Sequence, residues 1–104
     1  MAATLKNALG TPLAATPYQL YICPASTTTT ISTLEICNRN AGAATVRVWV
    51  TNGVGDFYSY YDLAIAGYDS FNQTIGKVLV DGDEYNVYSD LADVDFSISF
   101  IETA

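Results

Sequence analysis

Eleven acidic side chains, four basic ones and no histidine set the chemistry open to this sequence of 104 residues. Without histidine there is neither the usual general base at neutral pH nor the commonest metal ligand, which weighs against serine-triad and zinc-hydrolase reactions. The acids gather in two places, Asp81, Asp83 and Glu84 at one turn and Asp90, Asp93 and Asp95 before and within the last strand. Oxygen donors of this kind suit calcium, and two carboxylates separated by roughly 5 to 9.5 Å would suit glycoside hydrolysis. The spacing lacks the helix-flanked calcium loop with its closing bidentate glutamate, and so short a chain leaves little to build a deep cleft. Solvated turn acids are the better account. The sequence is read as non-enzymatic, with no catalytic residue, no cofactor and no metal ligand.

Binding is the chemistry that remains. Eight tyrosines are many for this length, and tyrosine favours interfaces because a large rigid ring and one hydroxyl give contact area at low entropic cost. Tyr58, Tyr60 and Tyr61 are expected at an interface, with Tyr58 and Tyr60 on one face of a strand and Tyr61 on the other. Leu5, Leu9 and Leu13 of the N-terminal segment are expected to contribute to the same role. The two cysteines, Cys23 and Cys37, either bridge a first hairpin if its register permits or remain small buried or half-buried thiols.

The formal charge of -7 repels phosphate backbones and anionic membranes over most of the surface, so neither nucleic acid nor membrane is an expected partner. Half of the residues are hydrophobic and 14% are charged, against about a quarter charged in an average soluble domain. Such a chain has enough apolar area to fold, and its sparsely charged surface suits a subunit covered by neighbours. The N-terminus shows no secretory or membrane-spanning pattern, so the chain is expected to begin at Met1 or Ala2 and to be made in the cytoplasm.

These residues must be positioned by strands. Residues 1–16 read as an extended N-terminal arm ending at Thr16-Pro17, where Thr16 is biased to extended geometry; Thr4 to Leu9 admit a short helix closed by Gly10, a leading strand, or an extension lying on a neighbour. Residues 17–104 read as one domain of short runs rich in β-branched and aromatic residues. Tyr18–Ile22 and Ile31–Asn38 are expected to form a hairpin. Thr45–Val50 turns Val46, Val48 and Val50 inward, and Phe57–Ile65 forms one or two strands. Asp69–Ile75 and Lys77–Val80 form two short ones about a bend or bulge at Gly76. Glu84–Tyr88 follows an Asp81-Gly82 turn with Tyr85 and Val87 in the core, and the last strand turns Val94, Phe96, Ile98 and Phe100 inward. About seven to eight strands with no convincing helix make an all-β chain, a single antiparallel β-sandwich of immunoglobulin-like or jelly-roll type.

The succession of a Thr-rich loop, Leu34-Glu35-Ile36-Cys37-Asn38, Ala44–Val50, Val80–Ser89 and Val94–Glu102 resembles small virion structural proteins of tailed bacteriophages of the cyanophage type, in particular their capsid cement or decoration proteins. The resemblance implies a β-sandwich subunit on the outer head shell that clamps neighbouring copies of the major capsid protein, forms a homodimer or other homo-oligomer, and uses residues 2–16 as a strap. It implies a virion location at the capsid surface after synthesis in the host cytoplasm. The alternative is a tail-associated or host-recognition module whose loops Asn52–Asp56 and Asp81–Glu84 contact glycan.

Overall fold

The computed structural model describes residues 3–104. Eight strands form: β1 (Ala3–Gly10), β2 (Tyr18–Ile22), β3 (Thr28–Asn38), β4 (Ala44–Thr51), β5 (Asp56–Ile65), β6 (Ser70–Leu79), β7 (Glu84–Ser89) and β8 (Val94–Thr103); no helix lies among the described residues. Strand alternation works as the apolar spacing dictates where it is cleanest. Val94, Phe96, Ile98 and Phe100 of β8 are buried while Asp95, Ser97 and Ser99 stand on the other side, and Val46, Val48 and Val50 of β4 are buried likewise.

The strands pair antiparallel in two four-stranded sheets, sheet A in the order β1-β8-β3-β6 and sheet B in the order β2-β7-β4-β5. One rule generates this order. β1 meets β8, β2 meets β7, β3 meets β6 and β4 meets β5, as in a single long hairpin whose tip is the β4–β5 turn. Rolling that hairpin brings β8 onto β3 and β7 onto β4 and closes the sandwich. This is the jelly roll, and it decides between the two sandwich types expected.

Several local expectations are corrected by it. β2 and β3 do not form a hairpin, because they belong to opposite sheets. Cys23 is buried at one end of the core and Cys37 exposed on the outside of sheet A, and both thiols are free. The expected short strands around Gly76 are one strand, β6, in which Ile75 and Gly76 stand opposite the single Ser32 between the pairs Ile31–Lys77 and Thr33–Thr74; Gly76 is a bulge inside a strand. Of the alternatives left open for the N-terminal segment, residues 3–10 take the leading strand, lying in sheet A as its edge and paired with β8 along their whole length.

The core between the sheets is filled by side chains that exclude water completely, among them Leu34, Ile36, Val48, Val87 and Ile98. A polar staple joins the sheets at one end. The buried Asn38 amide donates to the carbonyls of Gly42 at 2.9 Å and Ile65 at 3.1 Å, while its oxygen accepts the Asn40 amide at 2.9 Å. Beside it Gly67 passes so close to the Ala41 carbonyl that a β-carbon would overlap it. The chain's two lysines stand on the two edge strands of sheet A, Lys6 opposite Phe100 and Lys77 opposite Ile31, both on the side that faces the core.

Candidate interaction surfaces

β1 is held unlike any other strand. Its core-side positions are Thr4, Lys6, Ala8 and Gly10, opposite Glu102, Phe100, Ile98 and Phe96, so the strand adds backbone hydrogen bonds but no large apolar side chain to the interior. Gly10 leaves the space into which the Tyr18 ring packs. The tie at the other end is polar: Lys6 Nζ lies 2.8 Å from Glu102 Oε1, the Tyr21 hydroxyl donates to Glu102 Oε2, and Tyr21 and Thr29 share a hydrogen bond of 2.7 Å. The Cys23 thiol reaches the Thr29 hydroxyl at 3.3 Å, and the Tyr21 ring packs on Phe100 with centroids 4.3 Å apart. Lys6 and the Tyr21 hydroxyl hold the Glu102 carboxyl below its usual range, whereas burial and the neighbouring Glu102 push the Tyr21 phenol up.

With its small residues inward, β1 turns Leu5 and Leu9 outward, at 76% and 68% exposure, and Leu13 in the following linker is 75% exposed. Register then assembles what no single strand shows. Leu5 stands opposite Ile101, Ile101 opposite Thr30 and Thr30 opposite Val78, a row of exposed apolar side chains and one threonine methyl crossing all four strands of sheet A. A shallow groove lined by Leu5, Lys6, Asn7 and Ser99 opens beside it. Ile101 and Val78 escape a reading by strand because they sit singly, out of phase with the core residues beside them; only strand order makes them neighbours.

The outer face of sheet B carries the second surface. Trp49 lies under Tyr58 at a centroid distance of 5.3 Å, Tyr58 meets Tyr61 edge-on at 4.9 Å, and the Arg47 guanidinium sits 4.2 Å over Tyr61 and 5.2 Å from the Tyr88 ring. Arg47 Nε donates to Asp62 Oδ1 at 2.6 Å, which raises the guanidinium's affinity for its proton and fixes it between the rings. The expected facing of the three tyrosines is corrected here. Register shifts between Val46 and Trp49 of β4 against β5 set Tyr58 and Tyr61 together on the outside and turn Tyr60 inward, edge-on to Phe71 at 5.2 Å. Tyr60 closes the core between β5 and β6, while Tyr58 and Tyr61 remain open to a partner at 46% and 60% exposure.

The acids take structural positions. Arg39 pairs with Asp95 at 2.9 Å and with Asp93 at 3.6 Å, and the Thr11 hydroxyl together with Arg39 holds Asp95 below the usual carboxylate range. Asp90 accepts the Thr45 amide at 2.7 Å and Asp83 that of Val80 at 3.0 Å. No group of three potential ligands that could hold a metal ion occurs among the described residues. The loops Asn52–Asp56 and Asp81–Glu84 stand at one end of the sandwich, where Thr51 pairs with Glu84, but Asn52, Asp56 and Asp83 spend their oxygens on their own turns. Among the described residues, exposed apolar and aromatic side chains gather on the outer faces of both sheets.

No protein-family model and no curated protein sequence matches the chain. Solved structures do match its fold. A chain of the Bacillus endospore appendages, a family of disulfide-linked pili, superposes with a TM-score of 0.62 at 16% identity, covering 99% of this chain and 87% of that one. A chain of the T13 IBDV viral particle superposes with a TM-score of 0.60 at 5% identity over 96% of this chain, and one of infectious bursal disease virus Gx strain with 0.55 at 6% identity over 98%. This chain spans only 30% and 37% of those two viral chains. The eight-stranded sandwich is thus a fold that occurs in assembling subunits of virus particles and of pili.

Proposed function

We propose that the protein is a non-enzymatic structural subunit of a virion, a cement or decoration protein that binds the outer head shell of a bacteriophage and stabilises contacts between neighbouring copies of the major capsid protein. The observation that carries this reading is a pair of unpartnered adhesive faces on opposite sides of one rigid sandwich: the row Leu5, Ile101 and Val78 on sheet A, and Tyr58 and Tyr61 on sheet B. A clamp needs two such faces, one for the shell and one for the next subunit, and many weak copies then hold by avidity. The sequence resemblance and the fold shared with virus-particle chains support the same reading. Leu9 and Leu13, with the rest of residues 2–16, act as the strap, and Tyr60 serves indirectly by seating β5.

The test is binding to purified shells, followed by electron cryomicroscopy of the decorated particles. Density on the outer head surface, in numbers comparable to the major capsid protein, is the expected result. Leu5→Asp and Tyr61→Asp variants that keep their far-ultraviolet spectra are expected to lose shell binding. Full binding by both variants, or density confined to the tail, would sink the reading. A second reading, subunit of an extracellular filament, is favoured by one observation: the pilus chain is matched over 87% of its length, so it too is little more than one jelly roll. Filaments of regular pitch formed by the purified chain alone would favour it over the cement reading.

A further inference from the structure

The way β1 is attached points beyond adhesion to exchange. Every other strand supplies at least one buried apolar side chain to the interior, whereas β1 supplies none of the fully buried ones; its core side is Thr4, Lys6, Ala8 and Gly10. The fully buried core is therefore built by β2–β8, with Ala8 of β1 packed against it, and what β1 chiefly satisfies is the free edge of β8, over eight residue pairs from Ala3–Thr103 to Gly10–Phe96. That edge accepts any strand of this sequence in this register, including one from another molecule.

The connection to β2 is strained, although Pro12 is buried and the Thr11 hydroxyl and Ala15 amide hold it to Asp95 and to the Ser89 carbonyl. Residues 11–17 carry Pro12 and Pro17, which favour extended chain in themselves and in the residues before them. In the closed form they are nonetheless bent into a turn at Leu13–Thr16, closed by a long hydrogen bond of 3.3 Å from the Thr16 amide to the Leu13 carbonyl. Ala15 stands in that turn at φ 54°, a left-handed conformation that strains a residue with a β-carbon. A short strained hinge next to a detachable edge strand is the arrangement from which strands swap between copies. Straightening the linker relieves Ala15 at the cost of its amide's 2.8 Å hydrogen bond to the Ser89 carbonyl, and carries Leu5 and Leu9 to the outer face of a neighbour's sheet.

We infer that β1 is exchanged between copies of this chain, residues 3–10 of one molecule pairing with β8 of the next through the same register and the same Lys6–Glu102 contact. The inference rests on the reading of the chain as an assembly subunit and names how subunits are linked. Its test uses full-length chains carrying Cys37→Ser and a single added thiol, one set with Asn7→Cys and the other with Ser99→Cys. These two positions are opposite in the β1–β8 ladder, point away from the core, and lie outside the apolar row. The two sets are refolded together, concentrated and oxidised, and the products are separated by mass. Neither chain alone carries both thiols of the pair, so the cross-link forms only between molecules. The expected result is a disulfide between the two sets, several-fold above that from an Asn7→Cys and Thr103→Cys mixture, which is four residues out of register. Adding Ala15→Gly, which removes the hinge strain, is expected to lower the yield. Oligomers whose in-register yield merely equals the out-of-register control overturn exchange and leave the subunit reading standing. A chain that stays monomeric at every concentration, without cross-links, likewise overturns exchange, while the subunit reading falls only by the shell-binding test.

Discussion

Tyr85 is fully buried between the sheets, and its hydroxyl has no hydrogen-bond partner among the described residues. Burial, with the neighbouring Tyr60, pushes its phenol well above the ordinary range, so the group is a neutral dipole in an apolar place. A buried hydroxyl without a partner carries its desolvation cost uncompensated. Tyr85→Phe keeps the ring and removes that cost, and it is expected to raise the unfolding free energy by about 1 kcal/mol in urea titration; a loss of stability would show that the hydroxyl has a partner. The thiols divide by position in the same way. Cys37 is expected to react with a maleimide in the native protein and Cys23, closed in against Thr29 and Leu79, only on unfolding; equal labelling of both would contradict the packing at that end. Residue types announced little of this. Tyr85 and Val87 read correctly as a core pair from their alternation, but that one hydroxyl among eight is stranded depends on what the opposite sheet brings near it.

At the scale of the element, a period of two assigns faces and is blind to partners. β8 and β4 are legible because each has a buried side made only of large apolar residues. β1 is illegible because its apolar residues face out and its core side is small or charged, the reverse of the usual pattern. The tyrosine facing in β5 is hidden from the sequence for a different reason, since shifts in the β4–β5 register displace the alternation by one residue between Tyr58 and Tyr61. The polar tie of β1 carries its own pH dependence. Lys6 and Tyr21 lower the Glu102 pKa from its ordinary 4.5, so the stabilisation is complete above that value and is lost as pH falls through the lower folded one. Amides of β1 are therefore expected to exchange faster with solvent at acid pH, relative to those of β4, and Glu102→Gln should remove the difference. Unchanged relative protection would count against Glu102 as the clasp. At the other end Gly67→Ala is expected to destabilise the protein by about 1–3 kcal/mol, since the Ala41 backbone must move to admit the methyl group.

For the whole molecule, the decisive fact is that six of the eight strands hydrogen-bond only to strands that do not adjoin them in sequence, the β4–β5 pair being the one local ladder. Fold class was readable from run lengths and turn residues, whereas strand order was not, because the pairing of β1 with β8 is decided only once everything between them has folded. Such a topology has a large loop-closure cost before its contacts form, so refolding is expected on the scale of roughly milliseconds to seconds in stopped-flow fluorescence of Trp49; a microsecond phase carrying the full amplitude would contradict it. The two lysines at the rims of sheet A bear on a different hazard. A four-stranded sheet with two free rims is a template on which like sheets can stack rim to rim without limit, the route to amyloid. Placing Lys6 and Lys77 on the core-facing side of those rims means that any rim-to-rim joint would have to bury a charge, and a joint that only exchanges β1 leaves the same lysine at the same rim. At the rims of sheet A, crowded copies thus meet a charge penalty against stacking into fibrils.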